Sequence, residues 1–187
     1  MDVYIMRHGQ TDWNLNKLFQ GDTDVPLNET GIKQAEEAAQ SLSEGAVDLI
    51  ICSTLTRARQ TADLVNRVVN CPILYRRELI ERGFGEWEGT DILPKKEDEL
   101  YKSGNLYNYS FTEIPYDIEP TQALCKRTWG VLEEIKEYYP GHRVLLVTHG
   151  GAMRALNAYF CGIGEDGVLP VLSAKNCQLI RYQLQTE

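Results

Sequence analysis

Hydrophobic residues alternate along the chain between two arrangements: short unbroken runs, and longer stretches where they recur every three or four positions. The runs within Val3–Met6, Asp48–Cys52, Pro72–Tyr75 and Val144–Thr148 predict strands, the first a buried one that delivers residues at its C-terminal edge. Val168–Leu172 and Gln178–Gln183 read as two further strands. Helical spacing of Ile32, Ala35, Ala38, Ala39 and Leu42 predicts a helix from Glu29 to about Leu42, with Asn28 as its N-cap. Leu55–Val69 predicts a second helix, carrying Arg57 and Arg59. Leu124, Val131, Leu132 and Ile135 predict a third over Thr121–Tyr138, stopped by Pro140 and Gly141. A fourth follows His149-Gly150-Gly151 and runs to about Cys161.

Between these elements, Glu78–Gly89 is acidic and punctuated by glycine, and reads as a loop. The stretch 91–120 is rich in Tyr, Asn, Lys and Glu without a clean period, and reads as a lid-like insertion holding one short helix. Strands alternating with helices predict an α/β fold, a three-layer α/β/α sandwich with a mostly parallel central sheet. Sites in such sheets form beyond the carboxyl ends of the strands, which is where His8, Ser53 and His149 fall.

Length and composition narrow the picture. A chain of 187 residues suits one domain, 1–187, around one core. Hydrophobic residues at 43% and charged residues at 25% match a soluble globular protein, and no apolar run is long enough for a membrane span. The start, Met1-Asp2-Val3-Tyr4-Ile5-Met6, has the look of a first strand and lacks the basic-then-apolar pattern of a secretion signal, so a cytoplasmic location is expected. Five widely spaced cysteines, mostly among apolar neighbours, suit reduced core thiols better than a disulfide framework or a zinc site. The net charge of −8 argues against nucleic acid and anionic membranes as partners, and requires any anionic substrate to find a local basic pocket.

Such a pocket is visible in outline. Of three histidines, His8 and His149 follow predicted strands and sit beside glycine. A single histidine after a strand is more often structural, but here Arg7 adjoins His8, and Arg57 and Arg59 open a helix at another strand end. Cationic groups gathered at one edge of an acidic protein are costly unless an anion binds, and arginine forks match phosphate oxygens. Glu81 lies in a loop that reaches the same edge; its plain alternative is a solvated loop charge. With it, the set comprises a nucleophile, an anion clamp and a proton donor, the needs of covalent phosphoryl transfer. The acids do not cluster with histidine at metal-ligand spacing, and arginines can supply the charge that magnesium supplies elsewhere.

Arg7-His8-Gly9-Gln10-Thr11-Asp12-Trp13-Asn14 resembles the signature of the histidine phosphatase superfamily, the group that includes cofactor-dependent phosphoglycerate mutase and short phosphatases. Further blocks follow in the family's order: Phe19-Gln20-Gly21, Pro26-Leu27 with Gly31 and Gln34-Ala35, Ser53 through Ala62, Glu81 through Gly89, and Val147 through Gly151. The resemblance implies that His8 is the phosphorylated nucleophile, that Arg7, Arg57 and His149 bind the phosphoryl group, and that Glu81 donates the proton. It further implies that Asn14 contacts the phosphate and that Thr11, Gln20, Gly21 and Gly150 line the pocket, with no metal and no other cofactor. One block departs from the family: Ile118-Glu119-Pro120 stands where Gly-Glu-Ser is usual, although Glu119 keeps its spacing of eight from Arg127.

The expected activity is hydrolysis of small phosphate monoesters, by a monomer or a homodimer. Three readings compete with it: phosphoglycerate mutase-type transfer, a non-catalytic phosphate-binding regulator, and a nucleotide-binding module. The glutamate block reads Glu81-Arg82-Gly83-Phe84-Gly85 followed by Trp87-Glu88-Gly89, resembling the phosphatases, and no Gly-x-Gly-x-x-Gly follows a strand. Specificity is expected in 91–120, where Tyr101, Tyr107, Tyr109, Phe111 and Tyr116 are read mainly as packing residues, with aromatic surface for the substrate as the alternative.

Overall fold

The computed structural model describes residues 1–185. Five strands, β1 (Asp2–Arg7), β2 (Leu49–Ser53), β3 (Ile73–Arg76), β4 (Val144–Thr148) and β5 (Leu179–Gln183), form one sheet in the order β3-β2-β4-β1-β5. All neighbours are parallel except β5, which runs antiparallel to β1 at the edge. Among the described residues seven α-helices accompany them: α1 (Asp12–Leu15), α2 (Glu29–Gln40), α3 (Thr56–Val69), α4 (Ile92–Lys95), α5 (Glu99–Lys102), α6 (Thr121–Tyr138) and α7 (Gly150–Cys161). On one face Val3, Ile5, Leu49, Ile51, Val144 and Leu146 pack against α6 and α7 through Val131, Leu132, Ile135, Met153 and Leu156. On the other, Met6, Ile50, Cys52, Leu145 and Val147 meet Ala39, Ala58, Ala62 and Val65 of α2 and α3. Every residue of β2 and β4 is buried, so their unbroken apolar runs are explained by helices on both sides. Among the described residues no helix is long and apolar enough to cross a membrane.

Register sets the site. Arg7 of β1 pairs with Thr148 of β4 and Cys52 of β2 with Val147, so the chain leaves three adjacent parallel strands at His8, Ser53 and His149 on one edge. The His8 amide still donates to the Thr148 carbonyl at 2.9 Å, holding the two exits together.

Four local expectations differ from the structure. Val168–Leu172 forms no strand: Val168 makes one isolated bridge to Asn108, Pro170 has no N–H for a ladder, and β5 already occupies the edge beside β1. The 91–120 stretch holds two one-turn helices, α4 and α5, and a 3₁₀ turn at Asn105–Tyr107, rather than one short helix. Asp91 and Asp98 cap the two helices, accepting from Leu93 and Leu100 amides, and too few residues follow for any period to show. The Glu78–Gly89 loop contains part of a 3₁₀ turn at Arg77–Leu79 and all of another at Gly85–Trp87. In α2 the buried face is Gly31, Ala35 and Ala39, while Ile32 is exposed, because the helix approaches the segment after β1 backbone to backbone.

That approach is specific to glycine. Asn28 caps α2, accepting from the Gly31 amide at 2.9 Å, and a methyl group at Gly31 would overlap the Gln10 carbonyl, as one at Gly9 would overlap the Gly31 carbonyl. Gly31→Ala should therefore destabilise by about 1 to 3 kcal/mol through overpacking, although alanine is intrinsically the better helix former by about 1 kcal/mol. Urea denaturation checks the sign; a gain in stability would show that the contact between α2 and the His8 turn is looser than described.

Candidate active site

A cavity of about 340 Å³ opens above the carboxyl ends of β1 and β4. Arg7, His8, Asn14, Gln20, Gly21, Arg57, Glu81 and Gly150 all line it, so eight of the ten anticipated site residues converge on one space. Thr11 and His149 do not line it. Thr11 is fully buried behind the wall: its hydroxyl meets Asn14 Oδ1 at 3.2 Å and Gln20 Oε1 at 2.9 Å and caps α1 by accepting from the Asn14 amide. Because Asn14 Oδ1 also accepts from the Thr11 amide, the side-chain nitrogen is the end of Asn14 left without a protein partner among the described residues.

His8 is positioned from three sides. Its Nδ1 lies 2.7 Å from the Gly9 carbonyl, its own carbonyl accepts from Asn176 Nδ2 at 2.7 Å, and the Gly9 amide donates to Thr61 Oγ1 at 3.0 Å. A carbonyl can only accept, so Nδ1 carries the proton and Nε2 keeps its lone pair. Burial, then Arg57 and Arg7, hold the His8 pKa well below the usual imidazole value, and the ring is neutral at pH 7.

Arg57 is fully buried. Its guanidinium donates to the carbonyls of Gly21 and Thr23, both at 2.8 Å, and through Nε to His149 Nδ1 at 3.1 Å. That last bond makes Nδ1 of His149 an acceptor, so the proton sits on Nε2, which donates to Ser53 Oγ at 2.8 Å. Both ring nitrogens are therefore occupied within the protein, and the ring stands beside His8 with centroids 5.0 Å apart. Burial, then Arg57, pushes the His149 pKa far down as well. Arg7 donates to the Ala174 carbonyl at 3.0 Å, while its buried Nε has no partner among the described residues. Arg59, two positions along α3 from Arg57, points away from the site and lies over the Tyr75 ring.

Glu81 is held at the start of α7. Its carboxylate accepts from the amides of Arg82 at 2.8 Å and of Gly151 and Ala152 at 3.1 Å each. A methyl group at Gly151 would come within 2.6 Å of Glu81 Oε1, so glycine at that position is what permits the approach. The loop behind Glu81 is braced by Arg127, which donates to the carbonyls of Glu78, Ile80 and Glu81 and forms a two-bond pair with Glu119. The departure at Ile118-Glu119-Pro120 thus leaves this brace intact: Ile118 is buried against Phe84 and Trp87, and Pro120 starts α6.

Several residues that shape the cavity were given no site role from sequence, and Arg154 and Asn176 were not named at all. Glu88 accepts from the amides of Phe84, Asp22 and Thr23 and so pins the loop whose carbonyls hold Arg57. Tyr101 and Tyr107, read mainly as packing residues, line the cavity, together with Gly151 and Arg154. Glu88 sits inside a quoted block, and Arg154 is one helical turn from Gly150 on the same face; Asn176 carried no local signal.

A profile of the histidine phosphatase superfamily (branch 1) matches residues 3–187. PhoE of Bacillus subtilis, an uncharacterized phosphatase, is 36% identical over 82% of this chain and 74% of its own length. GpmB of Escherichia coli, named a probable phosphoglycerate mutase, is 32% identical over 99% of this chain and 86% of its own. Among solved structures, a mycobacterial glucosyl-3-phosphoglycerate phosphatase in complex with VO3 superimposes with a TM-score of 0.80 at 27% identity, covering 96% of this chain and 90% of that one. The chain belongs to the histidine phosphatase superfamily, with the phosphoglycerate mutase-like fold. It is an enzyme of that superfamily, and phosphomonoester hydrolysis is the activity its relatives support.

The neutral histidines carry a pH signature. Unfolded histidine titrates near about 6.5, whereas His8 and His149 stay neutral in the fold well below that. Below the unfolded value the unfolded state binds more protons, so stability is full above about pH 6.5 and falls as the pH drops, by up to about 1.4 kcal/mol per pH unit for each histidine. Urea unfolding between about pH 7 and pH 5 should show this slope, and His8→Asn should roughly halve it. A flat profile would mean that these rings are charged in the folded protein.

Proposed function

We propose that this protein hydrolyses small phosphate monoesters through a phosphohistidine formed on Nε2 of His8. The observation that carries the reading is the pairing of a neutral imidazole, its lone pair directed away from the Gly9 carbonyl, with two arginines on the wall of the same cavity. In the first step Nε2 attacks phosphorus, the ester P–O bond breaks, and Glu81 protonates the departing alkoxide. In the second, Glu81 takes a proton from water as it attacks phosphorus; the P–N bond breaks and His8 returns neutral. Arg7, Arg57 and the side-chain nitrogen of Asn14 are the donors for the phosphoryl oxygens, so charge at the reacting centre is stabilised by arginine and no metal is called on. His149 serves this reading through its neighbours: it fixes the Nε edge of Arg57 and stands against His8. Gln20, Gly21 and Gly150 complete the wall, and Thr11 acts by holding Asn14 and Gln20.

The substrate is a small-molecule phosphate ester, met by one domain in which 91–120 forms a cover over the site. A cytoplasmic location is supported by five unpaired cysteines, three of them buried; the chemistry suits a monomer or a homodimer alike. Transfer to a second hydroxyl is the competing reading, favoured by similarity to GpmB. Release of inorganic phosphate in step with alcohol decides for hydrolysis.

Two substitutions test the roles. His8→Ala should abolish hydrolysis of an aryl phosphate while the thermal unfolding transition persists; residual activity of a few per cent or more removes His8 as nucleophile. Glu81→Gln should slow the first step, phosphorylation of His8, by about two to four orders of magnitude for alkyl esters and far less for aryl esters, because an aryl oxide leaves without a proton. With aryl phosphate the variant should give a burst followed by a slow phase, and acid-labile phosphate should stay on the protein. Equal slowing of both ester types without a burst assigns Glu81 to binding alone.

A further inference from the structure

Beyond the groups assigned to the phosphoryl end, the cavity contains a third guanidinium. Arg154 lies one turn along α7 from Gly150 and lines the same space. Its Cζ lies over the Tyr107 ring, 4.1 Å from the centroid, and its Nε and one terminal nitrogen both donate to a single acceptor, the Leu169 carbonyl, at 3.2 and 2.6 Å. Leu169 is itself fixed, because its amide donates to the Tyr107 carbonyl at 2.9 Å. The side chain is therefore immobilised at one edge, and the opposite edge, the two terminal nitrogens side by side, has no protein acceptor among the described residues. Among the described residues no carboxylate lies within ion-pair distance of Arg154, and the acidic residue lining the cavity, Glu81, already accepts three backbone amides. The same cavity is also lined by aromatic and aliphatic residues, among them Phe84, Tyr101, Leu106 and Leu172. A half-buried guanidinium against such a wall is poorly solvated, and a bound anion offsets that cost.

We propose that Arg154 receives a carboxylate carried by the substrate, so that the preferred substrates are short phosphate monoesters with a free carboxylate on the alcohol portion. The inference rests on reading the cavity as a phosphomonoesterase site. A phosphoryl dianion is matched by Arg7 and Arg57, which leaves the charge on Arg154 for a second group. The free guanidinium edge presents two parallel N–H bonds, the geometry that a planar carboxylate accepts in bidentate fashion. Lys17 and Lys96 offer a second basic location, at the adjoining rim near Arg7 and Ile92, but neither is among the residues lining the main cavity.

The test pairs each acid with its methyl ester: phosphoglycolate and the phosphate ester of 3-hydroxypropanoate, with an uncharged aryl phosphate as reference. Wild-type kcat/KM should favour the acids over their methyl esters by about ten- to a hundredfold, the worth of one charge-assisted contact, mainly through KM. Arg154→Gln should bring that ratio close to one, and Arg154→Lys should leave it intermediate. A wild-type ratio near one overturns the proposal without reference to any variant. So does a ratio that survives in Arg154→Gln; if it then collapses in a Lys17→Ala, Lys96→Ala double variant, the carboxylate is read at the rim. Wild-type protein inactive on every ester, the aryl phosphate included, would instead overturn the phosphatase reading beneath it, whereas hydrolysis of all esters without preference overturns the role of Arg154 alone.

Discussion

The arrangement of the site follows from one costly placement, the guanidinium of Arg57 buried without a carboxylate partner. Burial of an unpaired cation is prohibitive unless hydrogen bonds replace its water. Here the replacements are the carbonyls of Gly21 and Thr23 and the lone pair of His149. Each has a consequence. The two carbonyls are in place only because Glu88 gathers the amides of their loop, and the lone pair is present only while His149 is neutral. Burial and the same positive charge, with Arg7, keep His8 neutral as well, which is the state a nucleophilic imidazole needs. Holding Arg57 thereby also sets two conditions that the proposed phosphohistidine route requires, positive charge beside the cavity and a neutral His8.

Backbone approach is the second theme. Gly9 and Gly31 let the start of α2 close over the turn after β1, and Gly151 lets the Glu81 carboxylate reach the first amides of α7. In each case the missing side chain is worth more than any that could be added, because a carbonyl or carboxylate occupies the space. Gly9 beside His8, and Gly151 two positions after His149, are thus part of the packing of the site, quite apart from turn formation. The same economy explains the altered Ile118-Glu119-Pro120 block. Its middle residue pairs with Arg127 and braces the Glu81 loop, while its flanks serve hydrophobic packing and a helix start.

Around this centre the 91–120 stretch adds aromatic and aliphatic surface. Phe19, Phe84, Trp87, Leu106 and Ile118 form one small core, with Ile92, Leu100, Tyr101 and Ile114 packed on it. This cluster joins the stretch to the loops that carry Gly21 and Glu81, so one packing unit forms both the cavity's wall and part of its floor. Tyr107 links it to α7 by lying between the guanidinium groups of Arg82 and Arg154, at 4.8 and 4.1 Å.

Residue order alone determined the parts of this protein whose physics is local or strongly periodic. The buried runs of β1, β2 and β4, the face of α6 and the bounds of α7 were legible because continuous burial and a period of about 3.6 leave unambiguous marks. The candidate site at the strand ends was legible from a combination: one histidine after a strand is more often structural, but two of them with arginines at neighbouring strand ends form an uncommon set. Where contacts are distant in sequence, order carried little. The lack of a strand at Val168–Leu172 depends on β5 taking the edge beside β1, and the exposure of Ile32 depends on a backbone contact with Gln10. The one-turn helices α4 and α5 are stabilised by capping and tertiary packing rather than by their own pattern. Tertiary structure alone decided that His149 backs Arg57 instead of lining the cavity, that Thr11 holds Asn14 and Gln20 from behind, and that Arg154 shares the cavity with His8. Those outcomes turn on which hydrogen-bond partner is a few ångströms away, and that distance is set by strand register and loop packing, which no single segment of the chain encodes.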